Sequence, residues 1–162
     1  MRKWWGRATF LLVLTACAGQ QKPCPEQDVL PLRLTAAKTA NDGFPSLVRV
    51  YLLKTERGFL DASYADLLRG EVNSFREDQV EARDFVVPPG GGKVLEFART
   101  ADRGERYIGI FVGFGSQNGK WKVTAPLPVK NPAYCHEQAR ELHLQLEGQD
   151  ARVSEHPLTR SQ

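Results

Sequence analysis

The apolar positions of this chain recur at every second residue in short runs, the period of strands with one buried face. Leu30, Leu32 and Leu34 share a face opposite Arg33 and Thr35, as do Val48, Val50 and Leu52 opposite Arg49 and Tyr51. Ile108, Ile110, Val112 and Phe114 alternate with Gly109, Phe111 and Gly113. Trp121, Val123 and Ala125 alternate with Lys120, Lys122 and Thr124, and Leu142, Leu144 and Leu146 with His143, Gln145 and Glu147. Two shorter strands are predicted over 85–87 and 94–98. Turn chemistry separates the runs at Asn41-Asp42-Gly43, Pro88-Pro89-Gly90-Gly91-Gly92 and Asn118-Gly119. One helix is predicted: Ser63-Tyr64-Ala65-Asp66 has the spacing of a capping box, Leu67 and Leu68 continue an apolar face with Tyr64, and Gly70 ends it. The polar stretch 71–83 is compatible with helix over part of its length. About seven strands with few helices between them predict an all-β domain, an antiparallel β-sandwich carrying one short helix, because a parallel sheet needs helical crossovers that the pattern lacks. The domain is expected to span 29–148. Beyond Gly148 the chain is polar and without a period, so 149–162 is expected to be a flexible polar tail.

The segment before the first strand has a different character. Arg2, Lys3 and Arg7 give it a charged start, and an apolar run over 8–14 has the length of a signal-peptide core, too short for the ~20 apolar residues that cross a bilayer. The run ends in Leu14-Thr15-Ala16-Cys17. A cysteine just after a small residue at this place resembles the lipid-attachment site of a bacterial lipoprotein, which implies a signal peptide over 1–16, an acylated Cys17 and a tether rich in Gln and Pro over 17–28. Ala18 is not the aspartate of an inner-membrane retention signal, so the expected location is the outer membrane, on its periplasmic face.

Removal of 1–16 changes the charge. The whole chain has 22 Lys and Arg against 19 Asp and Glu, but three of the basic residues precede Cys17 and no acidic residue does. The chain from Cys17 onward is therefore neutral, and the basic footprint of a nucleic-acid binder is absent. With Cys17 acylated, Cys24 and Cys135 remain. They either close one disulfide, in keeping with an oxidising compartment, or stay two thiols.

Catalytic constellations are thin. Gly90-Gly91-Gly92-Lys93 looks like a phosphate loop, but Val94 stands where Ser or Thr should follow, and a hairpin connection after two prolines accounts for it better. Ser116 lacks the flanking glycine pattern of a nucleophile elbow. Cys135-His136 has no orienting third group, and His136 and His143, seven residues apart, match no usual zinc spacing. His156 falls in the expected tail. Glu77, Asp78 and Glu81 interleave with Arg76 and Arg83 as a solvated face. No enzyme, no metal and no cofactor is expected. A small-ligand or carbohydrate binder is the alternative reading, with Tyr51, Tyr107 and Trp121 as its aromatic platform, although alternation turns Trp121 toward the core.

The ordered succession of the Asn41-Asp42-Gly43 turn, Val48-Arg49-Val50-Tyr51-Leu52-Leu53, Phe59 with the short helix, Pro88-Pro89-Gly90, Tyr107-Ile108-Gly109-Ile110 and Trp121-Lys122 resembles the type VI secretion lipoprotein family TssJ, also called SciN. The likeness covers about residues 29–128 plus the cysteine motif. It departs at Lys122, where arginine is usual, at Phe114-Gly115, and in the glycine-rich 90–92 turn; the first two are expected to alter peripheral charge more than fold. The resemblance implies a transthyretin-like β-sandwich that docks the periplasmic part of the inner-membrane protein TssM, which joins TssL in an envelope-spanning complex. It also implies that the loop over 37–46 is the contact element, with Asn41, Asp42, Gly43, Phe44 and Pro45 at its tip. From the residues alone, Phe44 is either an exposed anchor or a side chain folded back onto its own sandwich.

Changing Cys17 to Ser is expected to release the protein from the outer-membrane fraction and to abolish secretion while the fold persists. Fractionation of envelopes checks this, and persistent anchorage would contradict the lipid assignment.

Overall fold

A computed structural model describes residues 27–100, 103–127 and 140–157. Cys17, Cys24, Cys135 and His136 lie outside these residues, and so does the signal segment. Among the described residues, eight strands form two sheets, accompanied by two short α-helices. The strands are β1 (Gln27–Ala36), β2 (Ser46–Leu53), β3 (Gln79–Val87), β4 (Gly92–Thr100), β5 (Tyr107–Gly113), β6 (Lys122–Pro126), β7 (Arg140–Glu147) and β8 (Asp150–Pro157). The helices α1 (Arg57–Asp61) and α2 (Tyr64–Arg69) both lie between β2 and β3. Sheet A has the order β4-β1-β7-β8 and sheet B the order β3-β2-β5-β6. All pairs are antiparallel except β1 and β7, which run parallel from Leu32↔Leu142 to Ala36↔Leu146.

The alternation read from the sequence is the alternation that builds the main core. Leu30, Leu32 and Leu34 of β1, Leu142, Leu144 and Leu146 of β7, and Val48, Val50, Leu52, Ile108, Ile110 and Val112 of sheet B are buried in one cluster between the sheets. Each such side chain contributes roughly 1.5–3 kcal/mol when fully buried.

Sheet B is also buried on its outer face. Tyr51, Leu53, Phe59, Ala62, Leu67, Phe75 and Phe111 form a second cluster beneath the helices and the turns that follow them. Tyr51, Phe59 and Phe75 meet with ring centroids 5.2–5.7 Å apart, two of the three pairs edge to face. Trp121 stands edge-on to Tyr64 at 5.2 Å and near Phe111 at 6.1 Å, so it is half-buried at the seam of both clusters rather than turned only inward. Gly109 leaves room for this layer: a Cβ there would lie 2.9 Å from Leu53 Cδ1 and 3.2 Å from the Phe59 ring.

Two cations of sheet B fasten the helices. Arg49 makes a bidentate pair with Asp84 at 2.6 and 2.7 Å and donates its remaining nitrogen to the Leu67 carbonyl near the end of α2. The Asp84 carboxylate holds the Arg49 guanidinium above the usual arginine value. Lys122 donates to the carbonyls of Leu60 and, at 2.8 Å, Ala62, at the end of α1. Burial pushes the Lys122 ammonium below the usual lysine value, and its partners are carbonyls at a helix C-terminus, where a cation is favoured. Lys122 therefore shapes the fold and is not a peripheral charge.

The predicted helix is α2. Ser63 caps it, accepting from the Asp66 N–H at 3.2 Å, and Gly70 ends it with φ 77°. Four expectations are corrected. Residues 71–83 hold no helix; turns place Phe75 in the second cluster, and β3 begins at Gln79, well before 85. Residues 150–157 of the expected tail form β8, because Gly148 (φ 56°) and Gln149 make a two-residue turn and Ala151 and Val153 pack inward. The sandwich also begins at Gln27, two residues before its expected start.

A Gly109→Val substitution is expected to destabilise the domain by about 1–3 kcal/mol through overpacking against Phe59. A denaturant-unfolding midpoint equal to wild type would show that the outer layer does not rest on this strand.

Candidate functional site

The strand directions gather four connections at one end of the sandwich. Odd-numbered strands run toward this end and even-numbered strands leave it, so the segments 37–45, 88–91, 114–121 and 148–149 meet there. The start of β1 lies at the opposite end, about 30 Å away for ten residues at ~3.3 Å each.

Within 37–45 the chain crosses from sheet A to sheet B through the turn Ala40–Gly43. Asn41 (φ 50°), Asp42 (φ 54°) and Gly43 (φ 84°) are three successive left-handed residues. Asn, Asp and Gly tolerate that region best, which is why this tripeptide reads as a turn. The turn is pinned from inside. Asn41 is only 6% exposed; its Nδ2 donates to the Pro45 carbonyl at 3.0 Å and its Oδ1 accepts from the Gly115 N–H at 2.7 Å. Its own N–H donates to the Gly148 carbonyl at 2.7 Å, and Asp42 Oδ2 accepts from Gln149 Nε2 at 2.7 Å. Ala37 accepts from the Gly90 N–H at 3.2 Å and donates to the Leu146 carbonyl at 2.8 Å. One loop is thus tied to all three of its neighbours.

At the tip this framework presents Phe44, 69% exposed, between Gly43 and Pro45, which are also exposed. An added Cβ at Gly43 would meet nothing within 4 Å. Of the two readings left open for Phe44, the structure shows the exposed one. Of the five residues expected to touch a partner, Asn41 is buried and acts as the pin, Asp42 is bound to Gln149, and Gly43, Phe44 and Pro45 form the outward surface.

The fold is that of a known family. A model of the type VI secretion lipoproteins, described as VasD, EvfM and TssJ, matches residues 28–149. The chain belongs to this family. Its structure is similar to the crystal structure of the type VI secretion lipoprotein TssJ1 from Pseudomonas aeruginosa, with a TM-score of 0.69 and 22% identity over 85% of this chain and 100% of that one. It is also similar to Lip of Serratia marcescens, a membrane-bound component of the type VI secretion system, with a TM-score of 0.67 and 23% identity over 78% and 96%. A chain of a type VI membrane complex superposes with a TM-score of 0.63 and 20% identity over 78% and 97%. No curated protein matches the chain.

The other candidate chemistry does not assemble at this family fold's surface. Tyr51 is 1% exposed and stacked between Phe59 and Phe75, so the aromatic platform of the small-ligand reading does not exist. Gly90 and Gly91 lie in the turn between β3 and β4 and Gly92 begins β4, with Gly91 donating to the Pro88 carbonyl at 2.9 Å. His143 faces away from the core, 2.9 Å from Glu141 and stacked on His156 at 4.2 Å; β8 brings this second histidine there, which an unpaired tail would not. Among the described residues no three His, Cys, Asp or Glu side chains are arranged to hold a metal. What the sequence did not reveal is the support of the loop. Gly115, Gly148 and Gln149 lie 74 to 107 positions from the residues they hold, and no local signal joins them.

An Asn41→Ala variant is expected to lose about 2–3 kcal/mol, from two broken side-chain bonds and a left-handed residue without its amide. Asn41→Gly should lose less, because it keeps the conformation. Equal stability of all three proteins in denaturant would remove Asn41 as the pin.

Proposed function

We propose that this protein is a lipid-anchored structural component of the type VI secretion membrane complex, fixed to the outer membrane through Cys17 and docking the periplasmic domain of TssM through the loop over 37–46. TssL joins indirectly, as the inner-membrane companion of TssM. The observation that carries the reading is Phe44, held out by a rigid loop at the end of the sandwich opposite the start of β1. A large aromatic side chain left in water on a pinned loop has the properties of an interface anchor: much apolar area and little ordering cost on binding. The tether enters at the other end, so lipid and loop can face opposite directions, as a link between two membranes requires.

Membership of a secretion lipoprotein family and the likeness to a chain of a type VI membrane complex support the assignment.

Phe44→Asp is expected to weaken capture of the periplasmic domain of TssM at least tenfold, about 1.4 kcal/mol, while leaving the melting temperature unchanged. The measurement is a binding titration beside a thermal melt. Undiminished affinity would remove the loop from the contact.

A further inference from the structure

We infer that the contact surface continues from the loop onto the outward face of sheet B, where Leu47, Val86 and Leu68 form an apolar strip that takes an uncharged, apolar segment of the same partner. This inference rests on the loop reading above and extends it.

Area is the first argument. A stable interface buries roughly 800 Å² on each side and draws on about 20–30 residues. The loop has too few residues to supply that, and Asn41 is turned inward. The contact must spread to adjoining surface, and the exposed side chains show in which direction. Val86, 70% exposed, and Phe44, 69%, are the two most exposed large hydrophobic residues among the described residues. Both lie at the same end of the molecule: Leu47 is three residues from Phe44, and the strand register sets Val86 of β3 and Gly113 of β5 on either side of Leu47. Gly113 lies beneath Leu47 and Leu68, since a Cβ there would be 3.4 Å from Leu47 Cβ and 3.4 Å from Leu68 Cδ1. Leu68, 44% exposed, is the residue of α2 that follows the buried Leu67. The helices cover the rest of this face, and α2 borders the strip through Leu68. The outward face of sheet A carries Val94, paired with the exposed Arg33, and Val29, four residues before Arg33 on β1, so its exposed apolar residues are separated.

Charge defines the partner's chemistry. The ionic groups bordering the strip are paired within the chain: Arg49 with Asp84, and Arg69 with Asp66 at 2.8 Å and with Glu71 at 2.8 Å. Both guanidiniums are taken up by carboxylates of this chain and the five groups sum to a single negative charge, so the matching segment is apolar and its binding varies little with salt. Val86 also belongs to β3, the outer strand of its sheet, whose far side has no strand partner among the described residues. Such an edge can receive an extended segment.

The test uses the full-length lipoprotein in detergent and, as probe, the periplasmic domain of TssM from the same secretion system, titrated at low and high salt. Val86→Asp, Val86→Ser and Leu68→Glu are compared with Phe44→Asp, each checked by thermal melting. The expected result is at least tenfold weaker binding for Val86→Asp and Leu68→Glu, a smaller loss for the uncharged Val86→Ser, and wild-type affinity nearly independent of salt. If Phe44→Asp loses binding while both Val86 variants bind as wild type, the strip is overturned and the loop reading stands. If Phe44→Asp binds as wild type, the loop reading fails and the inference fails with it. A steep decline of wild-type binding with salt would overturn the apolar character of the segment.

Discussion

Because sheet B is buried on both faces, its strands must satisfy two cores at once, and most of the molecule follows from that constraint. The inner residues of β2 and β5 close the sandwich, while Tyr51, Leu53 and Phe111 on the outer face need a second cover. Helices of five and six residues are too short to be stable by themselves, so packing and capping must hold them. Arg49 and Lys122, carried on the same face on either side of Phe111, do this by donating to carbonyls at the two helix ends. Each cation is placed by a strand and in turn places a helix. The helices then deliver Phe59 and Leu67 to the aromatic layer that fills the outer face.

The same strand order places the exposed end. Since successive strands run in opposite senses through the two sheets, four connections converge and can bond to one another. The segment 37–45 uses this fully, through the Asn41 amide, the Asp42 carboxylate and the backbone of Ala37. Rigidity matters here because an anchor that is already ordered loses little entropy when it binds. A flexible tip carrying the same phenylalanine would bind more weakly.

Much of the architecture was legible in the chain, because period-two alternation survives wherever a strand has one wet face. β1, β2, β5 and β7 show it plainly. It faded in β3, where Glu81 and Arg83 occupy positions opposite Leu52 and Val50 and where the ladder slips between Leu52 and Leu53. These inward charges are held by Arg103, 2.9 Å from Glu81, and by the Phe97 ring, 4.7 Å from the Arg83 guanidinium carbon. A strand whose core-facing positions hold partly exposed ionic side chains reads as a solvated face. β8 was hidden differently, since only Ala151 and Val153 mark its inner side. The short α1 left no sequence signal because its support, Lys122, lies more than 60 positions away. At the site, the turn residues and Phe44 were visible, and the direction of Phe44 was not: burial of one side chain on a loop depends on what lies beside it in space.

The internal pairing of charge also bears on what the outer face can bind. Arg49 and Lys122 would be free cations on an exposed sheet, and either would oppose an apolar partner through its desolvation. In this fold both are taken up, one by Asp84 and α2, the other by α1 and the Trp121 ring 5.0 Å away. The cover needed by the second core therefore takes up both cations of this face. What remains beside Leu47 is a rim of guanidiniums paired with carboxylates around apolar side chains, so the interaction that completes the fold also prepares the face that adjoins the exposed loop.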